Sequence, residues 1–482
     1  MFCRTKIVAT IGPACDSEER LRALMEAGAE VFRLNFSHGA QEGKGELIRR
    51  IREISRLRQR AVAILGDLQG PKIRAGLMDG GEVSLRTGEE VTITTRNVLG
   101  TSTLIPTTYD KLPGDVLAGD RILLDDGLLE LAVLAVSGDE VRCRIVEGGV
   151  LKDRKGINLP GVKVSSPALT AKDRDDLQFC IREGIDYVAL SFVRRATDVQ
   201  ELRALLQEAG SELRIISKIE KPEAVADFDA ILEASDGIMV ARGDLGVEMS
   251  PEKVPLIQKR IIRKCNAAGK PVITATQMLE SMIEHPRPTR AEISDVANAI
   301  LDGTDAVMLS AETASGKYPV EAVSVMVRVA SDIERDPTLH EGYYHPLPRV
   351  QGYPSLPEAI GQAACRVAEH TGAAAILAFT QTGSTAALVA KYRPALPIYA
   401  VTPSQRVRRQ LALYAGVRSL RVDIEGDTEA QICAVEEAVL AAGVLQRGDV
   451  VVITMGSPVS APGTTNLLKV HRLGTAPFYE VH

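Results

Sequence analysis

The sequence has no large charge excess and no long apolar run, and each of these absences excludes a class of protein. Its 482 residues carry a net charge of only −6, which gives no reason to expect nucleic acid or an anionic membrane as a partner. It has no stretch of about 18 uninterrupted apolar residues, so we expect no transmembrane helix. The apolar run near the N-terminus is too short for a signal peptide, and we therefore expect a soluble cytoplasmic protein.

The sequence also lacks closely paired cysteines. Without C-x-x-C spacing, neither a zinc site nor a disulfide framework is indicated. The seven cysteines are scattered along the chain at Cys3, Cys15, Cys143, Cys180, Cys265, Cys365 and Cys433.

The composition is that of a globular protein, with 45% hydrophobic and 25% charged residues. A chain of this length is too long for a single core, so we expect two to four domains.

Short β-rich runs alternate with helix-length amphipathic stretches through the first 330 residues. Eight such units are what a parallel (β/α)8 TIM barrel requires, and the strand count favours a closed barrel over a doubly wound open sheet. The predicted strands cover residues 6–10, 31–36, 61–68, 186–192, 214–219, 237–242, 271–276 and 305–310.

About 90 residues after the third run break this rhythm. They contain short alternating stretches such as "GEVSLRTGEEVTIT" and "EVRCRIVEGG", which predict a small β-rich lid domain inserted at the catalytic end of the barrel. A linker rich in proline and glycine then leads to a third unit, which we predict to be a C-terminal α/β domain. The predicted boundaries are 1–73 and 167–345 for the barrel, 74–166 for the lid and 346–482 for the C-terminal domain.

Lys218 and Glu220 lie two residues apart at the end of the buried run "RIISKI", so both would face the same side of a strand. In isolation such a pair is usually a structural salt bridge. In a barrel, however, the strand ends converge, and this rim suits a metal and a phosphate better than a lone ion pair. The other charged rim residues are Arg33, Arg74, Arg242, Asp67, Asp244 and Glu312.

Carboxylates such as Glu220 and Asp244 are hard oxygen ligands that leave room for water and substrate, as Mg²⁺ prefers. The Lys218 ammonium could stabilise charge on a transferring phosphoryl group or on an enolate oxygen. The "GDLG" segment would present free backbone N–H groups at a helix start. The residues alone therefore predict a metal-dependent enzyme acting on a small phosphorylated or carboxylated substrate.

Several longer motifs resemble the pyruvate kinase family and stand in the family's order and spacing. The resemblance implies a (β/α)8 barrel, an inserted β-rich domain and a C-terminal α/β domain, the same three units as above. The motifs are "TKIVATIGPA", "RLNFSHG", "GPKIRAG", "SKIEKPEAV", "MVARGDLGVE", "TATQMLESM", "PRPTRAEISDVANAILDGTDAVMLSAETASGKYPVEAV" and "GTTNLLKV".

The resemblance implies phosphoryl transfer from phosphoenolpyruvate to ADP, followed by protonation of the enolate to pyruvate. Lys218 would stabilise the transition state, and Arg33 would grip the substrate phosphate. The backbones of Gly243 and Asp244, with the Thr276 hydroxyl, would cradle the substrate carboxylate. Thr276 and a water would deliver the final proton.

The resemblance also implies a Mg²⁺ held by Glu220 and Asp244, for which Mn²⁺ could substitute, and a second Mg²⁺ that arrives with the nucleotide. The residues it places on the nucleotide side are Asn35, Phe36, Ser37, His38, Arg74 and Lys155.

Several of these residues have alternative interpretations. Arg33, Asp67 and Arg74 could form a structural network that closes the barrel top, and His38 could cap a helix. Ser191 is more typical of packing and hydrogen bonding than of chemistry. Glu312 could orient neighbouring groups rather than touch substrate. Lys317 could be a solvated charge in a loop.

Two other function classes compete with this assignment. One is another Mg²⁺-dependent barrel enzyme, a lyase that acts on an enolate, but such enzymes lack the inserted domain and the "TQMLESM" run. The other is an inactive homologue that senses metabolites, but such a protein would be expected to lose Lys218, Arg33 or a metal carboxylate, and none is lost.

The turn "TQTGST" in the third unit opens a predicted helix, and its hydroxyls could bind a phosphate. Ordinary N-capping is the alternative and needs no ligand. The resemblance implies a phosphorylated allosteric effector here, such as a sugar phosphate or AMP, with the loop "MGSPVSAPGTTN" close by. It also implies a homotetramer. The candidate effector residues are Thr380, Thr382, Ser384 and Thr385.

The strand-3 segment departs from a common family pattern. Many relatives read D-T-K-G-P-E-I-R and hold K⁺ with groups that match Asn35, Ser37, Asp67 and the carbonyl of residue 68, whereas this chain reads "DLQGPKIR". Lys72 near Asp67 could replace the charge of K⁺, because two cations a few ångströms apart repel each other. We therefore predict independence from K⁺. The alternative is that Lys72 points into solvent and the K⁺ site at Leu68 survives.

Overall fold

The structure is a computed structural model, and it describes residues 3–336, 355–423, 428–456 and 465–475. The chain begins a parallel barrel with strands β1 (Lys6–Ile11), β2 (Ala29–Asn35) and β3 (Ala63–Asp67). Helices α1 (Glu18–Ala27) and α2 (Gln41–Leu57) connect them. The strands are almost entirely buried, which is why they read as continuous apolar runs rather than alternating ones.

The inserted segment forms a β-rich lid with its own core, in which residues such as Ile93, Leu131 and Ile145 are fully buried. Its six-stranded sheet has the order β11-β7-β8-β9-β5-β6, and β10 pairs with β4 in a separate ribbon. Its elements are β4 (Glu82–Leu85), β5 (Glu90–Thr94), β6 (Leu104–Pro106), α3 (Leu112–Asp115), β7 (Arg121–Leu124), β8 (Leu129–Ser137), β9 (Glu140–Glu147), β10 (Gly149–Lys152) and β11 (Ile157–Asn158).

After the lid the chain returns to complete a closed barrel with the order β1-β16-β15-β14-β13-β12-β3-β2, as predicted. The returning strands are β12 (Tyr187–Leu190), β13 (Arg214–Ile219), β14 (Gly237–Ala241), β15 (Val272–Ala275) and β16 (Ala306–Leu309). The returning helices are α4 (Ala171–Arg182), α5 (Ala196–Glu208), α6 (Pro222–Ala226), α7 (Phe228–Ala234), α8 (Arg242–Glu248), α9 (Val254–Ala268), α10 (Arg290–Leu301), α11 (Ala311–Ala314) and α12 (Pro319–Arg335).

The C-terminal unit is a five-stranded sheet with the order β19-β18-β17-β20-β21, in which the edge strand β21 is antiparallel to β20. Its strands are β17 (Ala375–Phe379), β18 (Ile398–Thr402), β19 (Val417–Arg421), β20 (Val450–Gly456) and β21 (Thr465–Arg472). Its helices are α13 (Leu356–His370), α14 (Ser384–Lys391), α15 (Gln405–Gln410) and α16 (Thr428–Ala441).

The predicted domain boundaries stay predictions, and the one between residues 345 and 346 lies outside the described residues. All seven cysteines fall within the described ranges, and none of them forms a disulfide, as the sequence predicted. In the same ranges we find no helix that is both long enough and apolar enough to cross a membrane.

Candidate active site

The carboxyl ends of the barrel strands bring four charged side chains together. Arg33 of β2 donates from Nε to Asp67 Oδ2 at 2.6 Å, at the end of the neighbouring strand β3. Lys218 of β13 lies with its Nζ 2.9 Å from Glu220 Oε1 and 3.4 Å from Asp67 Oδ1. Lys218 and Glu220 are therefore part of a four-residue network and do not form an isolated salt bridge.

The charges of this network change the pKa values of its members. Burial alone would lower the pKa of Lys218, but the adjacent Asp67 and Glu220 outweigh it and raise that pKa well above its usual value. Burial would likewise raise the pKa of Asp67, but Lys218 and Arg33 outweigh it and lower that pKa. The site thus keeps Lys218 as a cation and Asp67 as an anion.

Glu220 differs from Asp67 because burial has the largest effect on its pKa and is not outweighed. Its pKa is raised by burial and by the like charge of Asp244, against the opposing effect of Lys218. Glu220 Oε2 accepts a hydrogen bond from the Phe192 amide at 2.7 Å. The other oxygen, Oε1, is buried and has the ionic contact with Lys218 but accepts no hydrogen bond of good geometry.

This donor set fits a hard divalent cation. Asp244 lies in the first turn of α8 and lines the same cleft as Glu220. Within the described parts of the chain, no three His, Cys, Asp or Glu side chains cluster as a complete metal site. A cation held by Glu220 and Asp244 would therefore complete its shell with water or substrate oxygens, as Mg²⁺ commonly does.

Gly243, which precedes Asp244 in α8, and Thr276 approach each other closely. A Cβ added to Gly243 would lie 2.8 Å from Thr276 Cγ2, so this approach requires glycine. Thr276 has φ +77°, an unusual conformation for a β-branched residue, and the Arg242 Nη2 donates to its carbonyl at 2.8 Å. The sequence analysis placed Arg242 at the rim but gave it no role. Its contact with the Thr276 carbonyl depends on the positive φ of Thr276, which the residue types do not reveal.

Two residues predicted for the nucleotide side, His38 and Arg74, lie in a cluster of cations. Burial lowers the pKa of His38, and Arg74, Lys44 and Lys72 lower it further. His38 thus lies beside several positive charges, which is an environment suited to phosphate. The sequence did not single out Lys44, which lines the cleft.

Two other residues predicted for the nucleotide side have partners elsewhere, and neither of them lines the cleft. Phe36 is 2% exposed and packs edge to face against Phe179, with 5.9 Å between ring centroids, so its side chain belongs to the core. Lys155 in the lid lies with its Nζ 2.8 Å from Asp125 Oδ1, also a lid residue.

The groups predicted for a monovalent cation all lie near the network. Asn35 Oδ1 accepts from the Ser37 amide at 3.0 Å, and the Leu68 carbonyl accepts from Ser191 Oγ at 2.7 Å. Lys72 is half-buried, and it forms an ion pair with Asp244 at 3.9 Å. The sequence interpretation, in contrast, places Lys72 near Asp67.

For Glu312 and Lys317, the structure shows the alternative roles, which do not involve substrate. Glu312 is buried and accepts hydrogen bonds from the backbone amides of Leu279 and Ser310, so it orients neighbouring backbone. Lys317 is a surface residue paired with Glu284.

The turn predicted to bind an effector is built from local hydrogen bonds. Thr380 Oγ1 accepts from the Gly383 amide at 2.8 Å, and Thr382 Oγ1 donates to Ser384 Oγ at 3.1 Å. Thr385 shares a hydrogen bond with Thr465 at 2.9 Å. No side chain caps α14, so ordinary N-capping does not account for these hydroxyls. Residues 457–464 of the neighbouring loop lie outside the described residues.

The charged network opens into a cleft of about 860 Å³ between the barrel rim and α2. Such a volume is within the range of small-molecule sites. Arg33, Asp67, Lys218, Glu220, Asp244 and Thr276 all line it.

Comparisons with known proteins agree along nearly the whole chain. The family model "Pyruvate kinase, barrel domain" matches residues 2–323, and "Pyruvate kinase, alpha/beta domain" matches residues 358–471. The chain belongs to the pyruvate kinase family. It is therefore an enzyme of that family, and the resemblance stated from the motifs is confirmed.

Individual pyruvate kinases give the same result. The chain is 51% identical to the pyruvate kinase of Geobacillus stearothermophilus, over 97% of this chain and 80% of that protein. It is 50% identical to pyruvate kinase 2 of a Synechocystis strain, over 97% and 79%. A crystal structure of a pyruvate kinase from Cryptosporidium parvum superposes with a TM-score of 0.89 at 41% identity, covering 98% of this chain and 96% of that one.

Proposed function

We propose that the chain transfers the phosphoryl group of phosphoenolpyruvate to ADP and then protonates the resulting enolate to pyruvate. The observation that carries this proposal is the Lys218 ammonium, which lies against Asp67 and Glu220 and next to Arg33 in one cleft. A cation fixed where negative charge moves between oxygens is worth far more in such a dry site than in water.

Each side chain has one task in this scheme. Arg33 binds the substrate phosphate, and Lys218 stabilises the transferring phosphoryl group and the enolate oxygen. The amides of Gly243 and Asp244 face the substrate carboxylate together with the Thr276 hydroxyl, which with a water carries the proton to the enolate carbon.

Glu220 and Asp244 would hold a Mg²⁺, and Mn²⁺ has the same preference for oxygen ligands. When bound, this ion would offset the negative charge of the phosphate and carboxylate. Glu220 supports this assignment, because its buried Oε1 accepts no hydrogen bond of good geometry and has an ionic contact with Lys218, which leaves lone pairs that a metal ion could use.

The test is the formation of pyruvate from phosphoenolpyruvate and ADP with Mg²⁺. We expect turnover in the wild type and a loss of at least about 10²-fold in Lys218→Met. Lys317→Met is the matched control, because this surface lysine should leave turnover unchanged. Absence of turnover in the wild type at millimolar substrate would overturn the proposal in favour of a lyase or an inactive sensor.

We also propose that the enzyme does not require K⁺. Lys72 places a positive charge 3.9 Å from Asp244, and with Arg74 and Lys44 it also lowers the pKa of His38. Turnover should be unchanged when K⁺ is replaced by tetramethylammonium at constant ionic strength, whereas Lys72→Glu should acquire a K⁺ requirement. A tenfold or larger fall in the wild type on removing K⁺ would contradict this.

A phosphorylated effector is proposed at the turn that contains Thr382 and Ser384, two exposed residues of which Thr382 precedes α14 and Ser384 is its first residue. Fructose 1,6-bisphosphate, ribose 5-phosphate, glucose 6-phosphate or AMP should shift half-saturation by phosphoenolpyruvate. The shift should vanish in Thr382→Ala/Ser384→Ala and persist in Thr371→Ala, an exposed threonine elsewhere in this domain. If none of the four shifts half-saturation or maximal rate, the regulatory proposal fails for these ligands.

We further propose a homotetramer, in keeping with the family resemblance. Analytical ultracentrifugation should give a mass near four times that of the 51.8 kDa chain. A monomer or dimer at micromolar concentration would contradict it. The cytoplasmic location stays a prediction from the sequence.

A further inference from the structure

Ser191 lies directly after strand β12 and is 2% exposed. Its Oγ lies 2.7 Å from the Leu68 carbonyl and 2.8 Å from Lys218 Nζ. Oγ also lies 3.3 Å from Asp67 Oδ1. A hydroxyl has a single hydrogen, and both of these oxygens can only accept, so the Ser191 proton points to the nearer one, the Leu68 carbonyl. The remaining lone pairs of Oγ therefore face Lys218, whose ammonium must donate to them.

The next residue holds the metal carboxylate. The Phe192 amide donates to Glu220 Oε2 at 2.7 Å, and Phe192 itself has φ +54°. Gly70 faces this turn so closely that an added Cβ would lie 2.9 Å from Phe192 Cδ2 and 3.0 Å from Ser191 Cβ. Non-glycine residues hold such a φ only when their surroundings fix it.

The Lys218 ammonium thus lies against two carboxylates and one hydroxyl. The carboxylates of Asp67 and Glu220 keep the ammonium charged, but each also offsets the charge that it presents to substrate. Ser191 is a neutral acceptor, so it fixes the direction of the side chain without reducing this charge.

We infer that Ser191 is a positioning residue that aims the Lys218 ammonium, and that its turn sets Lys218 and Glu220 at a fixed separation. This inference rests on the proposed phosphoryl transfer. It predicts that the Ser191 hydroxyl affects the chemical step, because a displaced ammonium binds substrates but stabilises the transition state poorly.

The test uses Ser191→Ala in the full chain, with Ser217→Ala as a matched control. Ser217 is buried on the same strand as Lys218 and shares a hydrogen bond of 2.6 Å with Ser235, away from the network. We expect Ser191→Ala to lower kcat by about tenfold to a hundredfold, with KM for ADP changed less than twofold. Ser217→Ala should alter the melting temperature but leave kcat within about twofold.

Ser191→Cys separates hydrogen bonding from volume, because a thiol fills the site but accepts hydrogen bonds weakly. It should remain folded and be as slow as Ser191→Ala, and it decides the matter if the alanine variant does not fold. A wild type without turnover would overturn the proposed function itself. An active wild type with wild-type kcat in Ser191→Ala or Ser191→Cys would overturn only the role of Ser191.

Discussion

Glu312 shows how a buried carboxylate shapes the site without lining the cleft. It accepts from two backbone amides, at Leu279 and Ser310, and so joins the segment after β15 to the end of β16. Burial raises its pKa, although these amides and its own partly oppose the effect. A carboxyl whose pKa is higher in the folded state than in the unfolded one stabilises the fold when it is protonated.

This gives a pH dependence of known sign. The stabilisation is fully present below the pKa of the unfolded state, about 4.3, and is lost as pH rises through the higher folded value. The free energy of unfolding of wild type minus that of Glu312→Gln should therefore be larger at pH 5 than at pH 8, by denaturant titration. Glu284→Gln should show nearly the same difference at both pH values, because Lys317 lowers the pKa of that exposed carboxyl and its contribution is already complete above about pH 5. Equal differences at both pH values for Glu312→Gln would contradict the assignment.

At the scale of single elements, the motif "PTRAE" is a helix start. Thr289 Oγ1 accepts from the Glu292 amide, and Glu292 accepts from the Thr289 amide, which forms a capping box on α10. Glu292 also accepts from the amide and the hydroxyl of Ser281. The motif therefore fixes the "LESM" turn against α10, in addition to starting the helix.

Replacing Thr289 and replacing Glu292 should therefore reduce the stability of the protein by different amounts. Thr289→Ala removes one cap and should cost about 1 kcal/mol of stability. Glu292→Ala leaves Ser281 without its partner as well and should cost about 1–3 kcal/mol more. Denaturant unfolding measures both, with Glu321→Ala in the first turn of α12 as an exposed control. A smaller effect for Glu292→Ala than for Thr289→Ala would contradict the second role.

The lid is fastened to the barrel by a buried carboxylate. Glu248 at the end of α8 accepts from Asn158 Nδ2 in β11 at 2.8 Å and from Lys221 Nζ at 2.5 Å. The same helix begins with Gly243 and Asp244, and Lys221 follows Glu220. One side chain thus links the lid to both segments that carry the candidate metal ligands.

Asn158→Ala removes only the bond to the lid and leaves the buried ion pair intact. Amide hydrogen exchange in residues 155–159 should become several-fold faster, while exchange in β13 stays unchanged. Asn298→Ala, on the exposed face of α10, is the matched control and should alter neither. Unchanged exchange in the lid segment would show that other contacts hold it.

For the whole molecule, the C-terminal domain forms part of the barrel floor. Leu413 is fully buried and packs in one cluster with Leu65 and Tyr187 at the opposite end from the cleft. Asp186, also buried, accepts from Arg52 of α2 and from Arg409 of α15, each at 2.8 Å. The two domains therefore share buried apolar and ionic contacts.

Leu413→Ala should destabilise both domains, by about 2–5 kcal/mol, because the cavity lies in a shared core. Amide exchange should rise in β12 of the barrel and in β17 of the C-terminal domain. Leu377→Ala, a buried leucine within β17, should raise exchange in its own domain far more than in β12. Exchange confined to the C-terminal domain in both variants would show that the domains unfold independently.

Arg214 connects the floor of the barrel to the predicted effector turn. Its Nη2 donates to the Thr382 carbonyl at 2.9 Å, and the same strand contains Lys218 and is followed directly by Glu220. Arg214→Ala should therefore weaken any effector response without abolishing basal turnover. A full response in this variant would exclude the strand as the connection.

The residue types alone determined the barrel, because eight buried parallel strands must read as short apolar runs and their polar ends must share one rim. All eight predicted strands are present, for example β13 at the predicted residues 214–219. They also identified Lys218, Glu220 and Asp67 as rim residues. The sequence missed the edge strand β21 and the lid strands β6, β10 and β11, which are short or amphipathic and depend on their neighbours for pairing.

Only the tertiary structure decided which rim residues touch. The contact of Lys72 with Asp244, the burial of Phe36 and the hydroxyl of Ser191 against Lys218 all join segments distant in sequence. Side-chain direction in a loop after a strand depends on backbone angles such as those of Thr276 and Phe192, which are unfavourable locally and are imposed by packing. Local preference therefore specifies the strands, whereas the geometry of the site follows from the closure of the barrel around them.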